Sequence, residues 1–114
     1  MLFRSMSQLH AINIVNKQAQ AGDTIVAAAG GPPGDLHQLW DTSRDRTCHL
    51  EFGYSCMGYE LPAGLGVRLA QPGGEVYVLI GDGTYLMQPS ELVTALQEGL
   101  KITVVIMKIG RAHV

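Results

Sequence analysis

Apolar residues recur along the chain with two different periods, and their alternation sets the predicted architecture. Leu9, Ile12, Val15 and Ala19 return at helical spacing, which predicts a helix over residues 7–20 stopped by Gly22. Residues 24–29 form a short apolar run, β-branched at its start, that meets GGPPG at 30–34; a strand running into a loop is expected. Residues 35–54 are polar and aromatic without a clear period and predict an irregular connection, with one short helix near 37–40. Leu61, Leu65 and Leu69 predict a helix within 57–70. Pro62 moves its start to Gly58 or Tyr59, because the missing proline N–H costs nothing in a first turn. Gly64 and Gly66 each cost that helix roughly 1 kcal/mol of propensity, so both are expected where its backbone lies close against a sheet.

A second apolar run, VYVLI at 76–80, leads into Gly81-Asp82-Gly83. A D-G pair after such a run is also a hairpin signal. A hairpin, however, should return at once to alternating strand residues. Here residues 85–88 lead instead into a predicted helix over 89–99, with Pro89 in its first position and Gly99 as its cap. Leu92, Val93, Leu96 and Leu100 are expected to form its buried face. Residues 102–107 are apolar almost throughout, as in parallel strands covered on both faces. The order helix, strand, loop, helix, strand, helix, strand predicts an α/β domain: a partial doubly wound parallel sheet of three strands with flanking helices. The triplet then sits at the carboxyl end of a strand, the edge where open α/β sheets bind ligands.

Composition narrows the function without naming it. The 114 residues suit one small domain, and a net charge of −2 gives no electrostatic case for nucleic acid or an anionic membrane. No apolar run approaches the roughly 20 residues that span a bilayer, and residues 1–14 lack the pattern of a signal peptide, so a cytoplasmic protein is expected. Cys48 and Cys56 make no disulfide framework, and with His49 they fall short of a zinc ligand set.

Chemistry concentrates at the triplet. Gly81 and Gly83 allow a sharp turn and keep Cβ atoms out of a ligand's way, and Asp82 offers a hard oxygen suited to Mg²⁺ or Ca²⁺. The dinucleotide fingerprint would need glycine at Leu86, and no Gly-Lys-Ser/Thr follows for a Walker loop. IGDGT at 80–84, with Glu91-Leu92 and Gly99-Leu100-Lys101 beyond it, resembles the cofactor-binding motif of thiamine diphosphate enzymes. MGYELPAGLG at 57–66 and HQLW at 37–40 resemble two further segments of that family, in the family's order. GGPPGDLHQLW and HLEFGYSCMGYE are closest to a branch that hydrolytically opens a cyclic diketone at a carbon–carbon bond in inositol breakdown.

The resemblance implies a role for each matching position. Asp82 would ligate Mg²⁺, and the main chain of Gly81, Gly83 and Thr84 would meet the diphosphate of thiamine diphosphate. Gly34, Asp35, Leu36 and His37 would close over the same group. The Ser55 carbonyl would accept from the aminopyrimidine, and Met57 would sit beneath the bend of the cofactor. It further implies a cyclic diketone substrate and a homo-oligomeric full-length enzyme. An acetolactate synthase-like carboligase or decarboxylase is the alternative on the same scaffold, and a non-catalytic α/β module is the alternative of another class. Taken singly, Met57 also reads as a core methionine, His37 as a loop histidine, and Asp35 as a turn or cap residue.

The sequence departs from the family at its ends. The second metal ligand of the motif is an asparagine; the corresponding position here is Ile109, which cannot ligate Mg²⁺. Residues 109–114 and 2–5 resemble translated sequencing adaptor, with Lys108 at the junction. The expectation is therefore a partial diphosphate-binding domain at 6–107 between non-native ends at 1–5 and 108–114, inactive by itself.

Overall fold

The computed structural model describes residues 8–28, 36, 39–43, 45–51 and 53–107. Four strands form one parallel sheet, β1 (Thr24–Ala27), β2 (Thr47–Leu50), β3 (Val76–Gly81) and β4 (Thr103–Met107), in the order β2-β1-β3-β4. The helices are α1 (Gln8–Gln18), α2 (Glu60–Ala70), α3 (Asp82–Met87) and α4 (Glu91–Gln97). The parallel α/β architecture expected from the periodicity is present, with one strand more than expected. That strand, β2, falls inside the stretch predicted to be irregular. Its four residues alternate only between exposed and half-buried, so it lies on the sheet edge and carries no apolar run.

Helices cover both faces. On one, Ile12 and Val15 of α1 and Ala19 just beyond it pack with Ile25, Ala27, Leu79 and Met107, joined by Leu36 and Trp40. On the other, Leu61 of α2 packs on Val78 and Ile80, with Tyr85, Leu92, Ile102 and Val104 alongside. Successive strand residues point to opposite faces, which is why Leu79 belongs to the first cluster and Val78 and Ile80 to the second. Burial of each large aliphatic side chain stabilises the fold by about 1.5–3 kcal/mol. The chain winds outward from β1 toward β2 in one direction and toward β3 and β4 in the other. The sheet therefore has a topological switch point between β1 and β3.

Details depart from expectation for identifiable reasons. Pro62 is the third residue of α2, where its missing N–H is one of the unpaired first-turn groups anyway. Gly64 lies against β3, since a Cβ there would collide with Val78 Cγ2, whereas Gly66 has nothing within 4 Å; only Gly64 has the close approach expected of both. Leu69 is 66% exposed in the last turn of α2, although it follows Leu65 at helical spacing. The helix expected over 89–99 is present as α4, and a further short helix, α3, precedes it. α3 starts at Asp82, the chain breaks at 88–90, and α4 starts after Pro89. The face expected for α4 is also displaced. Ala95 is its buried residue, Leu92 and Leu100 are half-buried, and Leu96 is 82% exposed beside an exposed Val93. Gly99 ends this helix at φ +66°, as expected of a cap, and Leu100 N–H donates to Ala95 O at 2.8 Å. Among the described residues no helix is long and apolar enough to cross a membrane.

Candidate functional site

The carboxyl ends of β1 and β3 bring the sequence-predicted residues together. Asp82 opens α3 immediately after Gly81, the last residue of β3. Its Oδ1 accepts from Gly83 N–H at 2.9 Å, and Thr84 behind it is buried. Gly81 has φ −76°, which any residue adopts, and neither Gly81 nor Gly83 has an atom within 4 Å of where a Cβ would stand. Neither turn geometry nor protein packing demands glycine at these positions. The space they leave is open.

The Ser55–Met57 loop approaches from the β1 side. Ser55 Oγ donates to Ala28 O, just past β1, at 3.2 Å, and Ser55 has a left-handed φ of 52°. Met57 is 50% exposed, so it is not a core methionine. Gly58, at φ +96°, ends the loop. A Cβ there would stand 3.8 Å from Gln88 Cβ, so the Met57 turn borders the end of α3. Residues 53–58 and 81–88 thus flank the sheet edge at its switch point.

Leu36 does not belong to this surface. Its side chain is fully buried in the α1-side core, and its carbonyl accepts from Trp40 N–H at 2.9 Å. Gly34, Asp35 and His37 lie outside the described residues, as do Ile109 and both expected non-native ends. Among the described residues no group of three or more His, Cys, Asp and Glu side chains is placed to hold a metal ion. Asp82 by itself does not make a metal site. Cys48 and Cys56 are free thiols, and burial pushes the Cys48 pKa up to about 11.

Two carboxylates were not anticipated. Glu60 is fully buried in the first turn of α2, and its Oε1 accepts from Gly58 N–H at 3.2 Å. Glu51, directly after β2, accepts from Tyr54 and Cys56 N–H with its two oxygens. For Glu60 a signal was available, an acidic residue opening an apolar helix. For Glu51 there was none, because its partners are main-chain groups.

The profile of the thiamine pyrophosphate enzyme, C-terminal TPP binding domain, matches residues 28–108, most of the chain. The chain belongs to this family. Members it resembles include the 3D-(3,5/4)-trihydroxycyclohexane-1,2-dione hydrolases of Lacticaseibacillus casei, 50% identical, and of Geobacillus thermodenitrificans, 48% identical. That of Clostridium tetani is 46% identical. Each comparison spans 101 residues, 89% of this chain but 16% of the relative.

Proposed function

We propose that this chain supplies the diphosphate side of a thiamine diphosphate site, within an enzyme that hydrolytically opens a cyclic 1,2-diketone at a carbon–carbon bond. The observation that carries the reading is Asp82, held between two glycines beside open space at the end of β3. The names of the relatives supply the substrate class. Bound thiamine diphosphate supplies an electron sink for such a cleavage. The residues of the chain bind and orient it. Asp82 would hold Mg²⁺ through its carboxylate, and the main chain of Gly83 and Thr84 would meet the diphosphate. The Ser55 carbonyl would accept from the aminopyrimidine, and exposed Met57 would support the cofactor. Gly34, Asp35 and His37 would meet the same diphosphate, whereas Leu36 is buried in the α1-side core.

On this reading residues 6–107 are part of a longer cytoplasmic, homo-oligomeric enzyme, and 1–5 and 108–114 are foreign to it. The 114-residue chain alone is expected to turn nothing over and to bind the cofactor weakly. Isothermal titration with thiamine diphosphate, with and without Mg²⁺, tests the site. Asp82→Asn is expected to remove the Mg²⁺-dependent part of the binding, and unchanged binding would favour a non-catalytic α/β module. At the enzyme's full length, turnover of the cyclic diketone supports the hydrolase reading, and turnover of pyruvate instead favours the carboligase.

A further inference from the structure

One side chain that touches no predicted ligand organises the loop that carries Ser55 and Met57. Glu51 extends the β1–β2 ladder by one step, its N–H donating to Ala27 O at 3.2 Å. Its carboxylate then turns back on the chain. Oε2 accepts from Tyr54 N–H at 3.0 Å and Oε1 from Cys56 N–H at 2.8 Å, so the two bonds straddle Ser55. A left-handed conformation costs a non-glycine residue about 1–2 kcal/mol, and Ser55 keeps it under this double grip. Gly53 makes room for the arrangement, because a Cβ there would stand 3.3 Å from Glu51 Oε2.

The second bond has a directional consequence. Cys56 N–H and the Ser55 carbonyl belong to one planar trans peptide, so they point in opposite directions. Fixing the N–H on Glu51 aims the carbonyl away from it. The Ser55 hydroxyl, donating to Ala28 O, ties the same residue to the end of β1.

We propose that Glu51 is a positioning residue of the cofactor site, holding Ser55 left-handed so that its carbonyl is set before any ligand arrives. The proposal rests on the reading above that this carbonyl meets the aminopyrimidine. The main-chain N–H groups, that of Tyr54 foremost, hold the Glu51 carboxyl below its ordinary pKa. A lowered folded-state pKa means that the grip is complete above the unfolded-state value and is lost as pH falls through the folded one.

The experiment is an amide NMR titration of the full chain, unaltered and as Glu51→Gln and Glu51→Ala, followed by addition of thiamine diphosphate with Mg²⁺. Tyr54 and Cys56 amides are expected to move together on acidification, with a midpoint below that of an ordinary glutamate. Both variants are expected to lose this response while the amides of β1 and β3 stay in place. Glu51→Ala is expected to bind the cofactor about fivefold to tenfold more weakly, as when a left-handed residue must be ordered on binding. Glu51→Gln, which keeps one acceptor oxygen, falls between. Independent titration of the two amides, or unweakened binding by Glu51→Ala, overturns the proposal. If the loop titrates as expected but no amide responds to the cofactor, the cofactor reading falls and the hold of Glu51 on Ser55 is still borne out.

Discussion

Both edges of the sheet bond carboxylates to the main chain, Glu51 and Glu60 among them at the carboxyl edge, but they differ at Asp82. At the amino edge the buried charges of Asp23, Arg68 and Arg46 bond chiefly to the chain's own backbone, with Arg46 Nε left without a partner among the described residues. Asp23 accepts from Gln20 N–H at 2.8 Å and from Glu75 N–H at 2.9 Å. Arg68 donates to the carbonyls of Lys101, Gln71, Pro72 and Gly74 at 2.7–3.3 Å. Arg46 closes the end of α1 through Asn16 O and Ala19 O, with its guanidinium 4.9 Å from the centre of the Trp40 ring. At the carboxyl edge Asp82 holds only its neighbour's N–H, and Tyr54, Met57, Leu86 and Met87 are exposed. Open clefts near Tyr77 and Leu100 lie at the amino edge, away from the motif. The amino edge ties strands to helices, and the carboxyl edge is left available for a ligand.

The largest effect is expected at the amino edge. Arg68→Met keeps most of the aliphatic stem but leaves four carbonyls without their donor. Such hydrogen bonds to a charged group contribute about 1.5–3 kcal/mol apiece, and water recovers part of the loss at a partly open cleft. A net destabilisation of about 3 kcal/mol is expected, read as a shift of the urea midpoint at constant m-value. A cost below about 1 kcal/mol would mean that the arginine is a surface ornament and would break the contrast between the edges.

The second effect separates two glycines of one helix. In Gly64→Ala the new methyl meets Val78 Cγ2, so α2 must lift from β3. Overpacking of this kind costs about 1–3 kcal/mol. Gly66→Ala meets nothing and gains up to about 1 kcal/mol of helix propensity. Thermal unfolding of the pair is expected to move in opposite directions. Matching shifts would mean that propensity, not contact with the sheet, governs α2.

This pair also marks how far the sequence carried. Period and punctuation located α1, β1, α2, β3 and β4, because each carries a run or spacing that only one element satisfies. β2 was illegible since an edge strand of four residues, TCHL, has one half-buried face and no apolar run. The buried face of α4 was only partly legible: Leu92 packs on the Leu61–Val78–Ile80 cluster, but the buried residue is small Ala95, and Val93 and Leu96, expected beside it, are exposed. Both glycines of α2 looked alike until the position of Val78 distinguished them. At the site, Asp82 was legible because glycines flank it after an apolar strand. Glu51 was not, since it serves main-chain N–H groups within five residues, and amide groups leave no trace in side-chain identity; Glu60 could have been found as the acidic residue that opens an apolar helix.

The smallest effect on stability is expected at the triplet, where it is most diagnostic. Gly81 has an extended backbone and Gly83 a helical one, and both Cβ directions are empty. Gly81→Ala should leave the unfolding midpoint within about 0.5 kcal/mol of the parent, like other substitutions that touch nothing. Gly83→Ala should raise stability by up to about 1 kcal/mol through helix propensity. Both methyls would project into the space assigned to the diphosphate, so thiamine diphosphate binding should weaken while the fold holds. That combination, stability kept and ligand lost, is the opposite of the outcome expected for Arg68→Met. A loss of more than about 1 kcal/mol at either glycine would make the triplet a structural turn, and the open edge would lose its claim to a ligand.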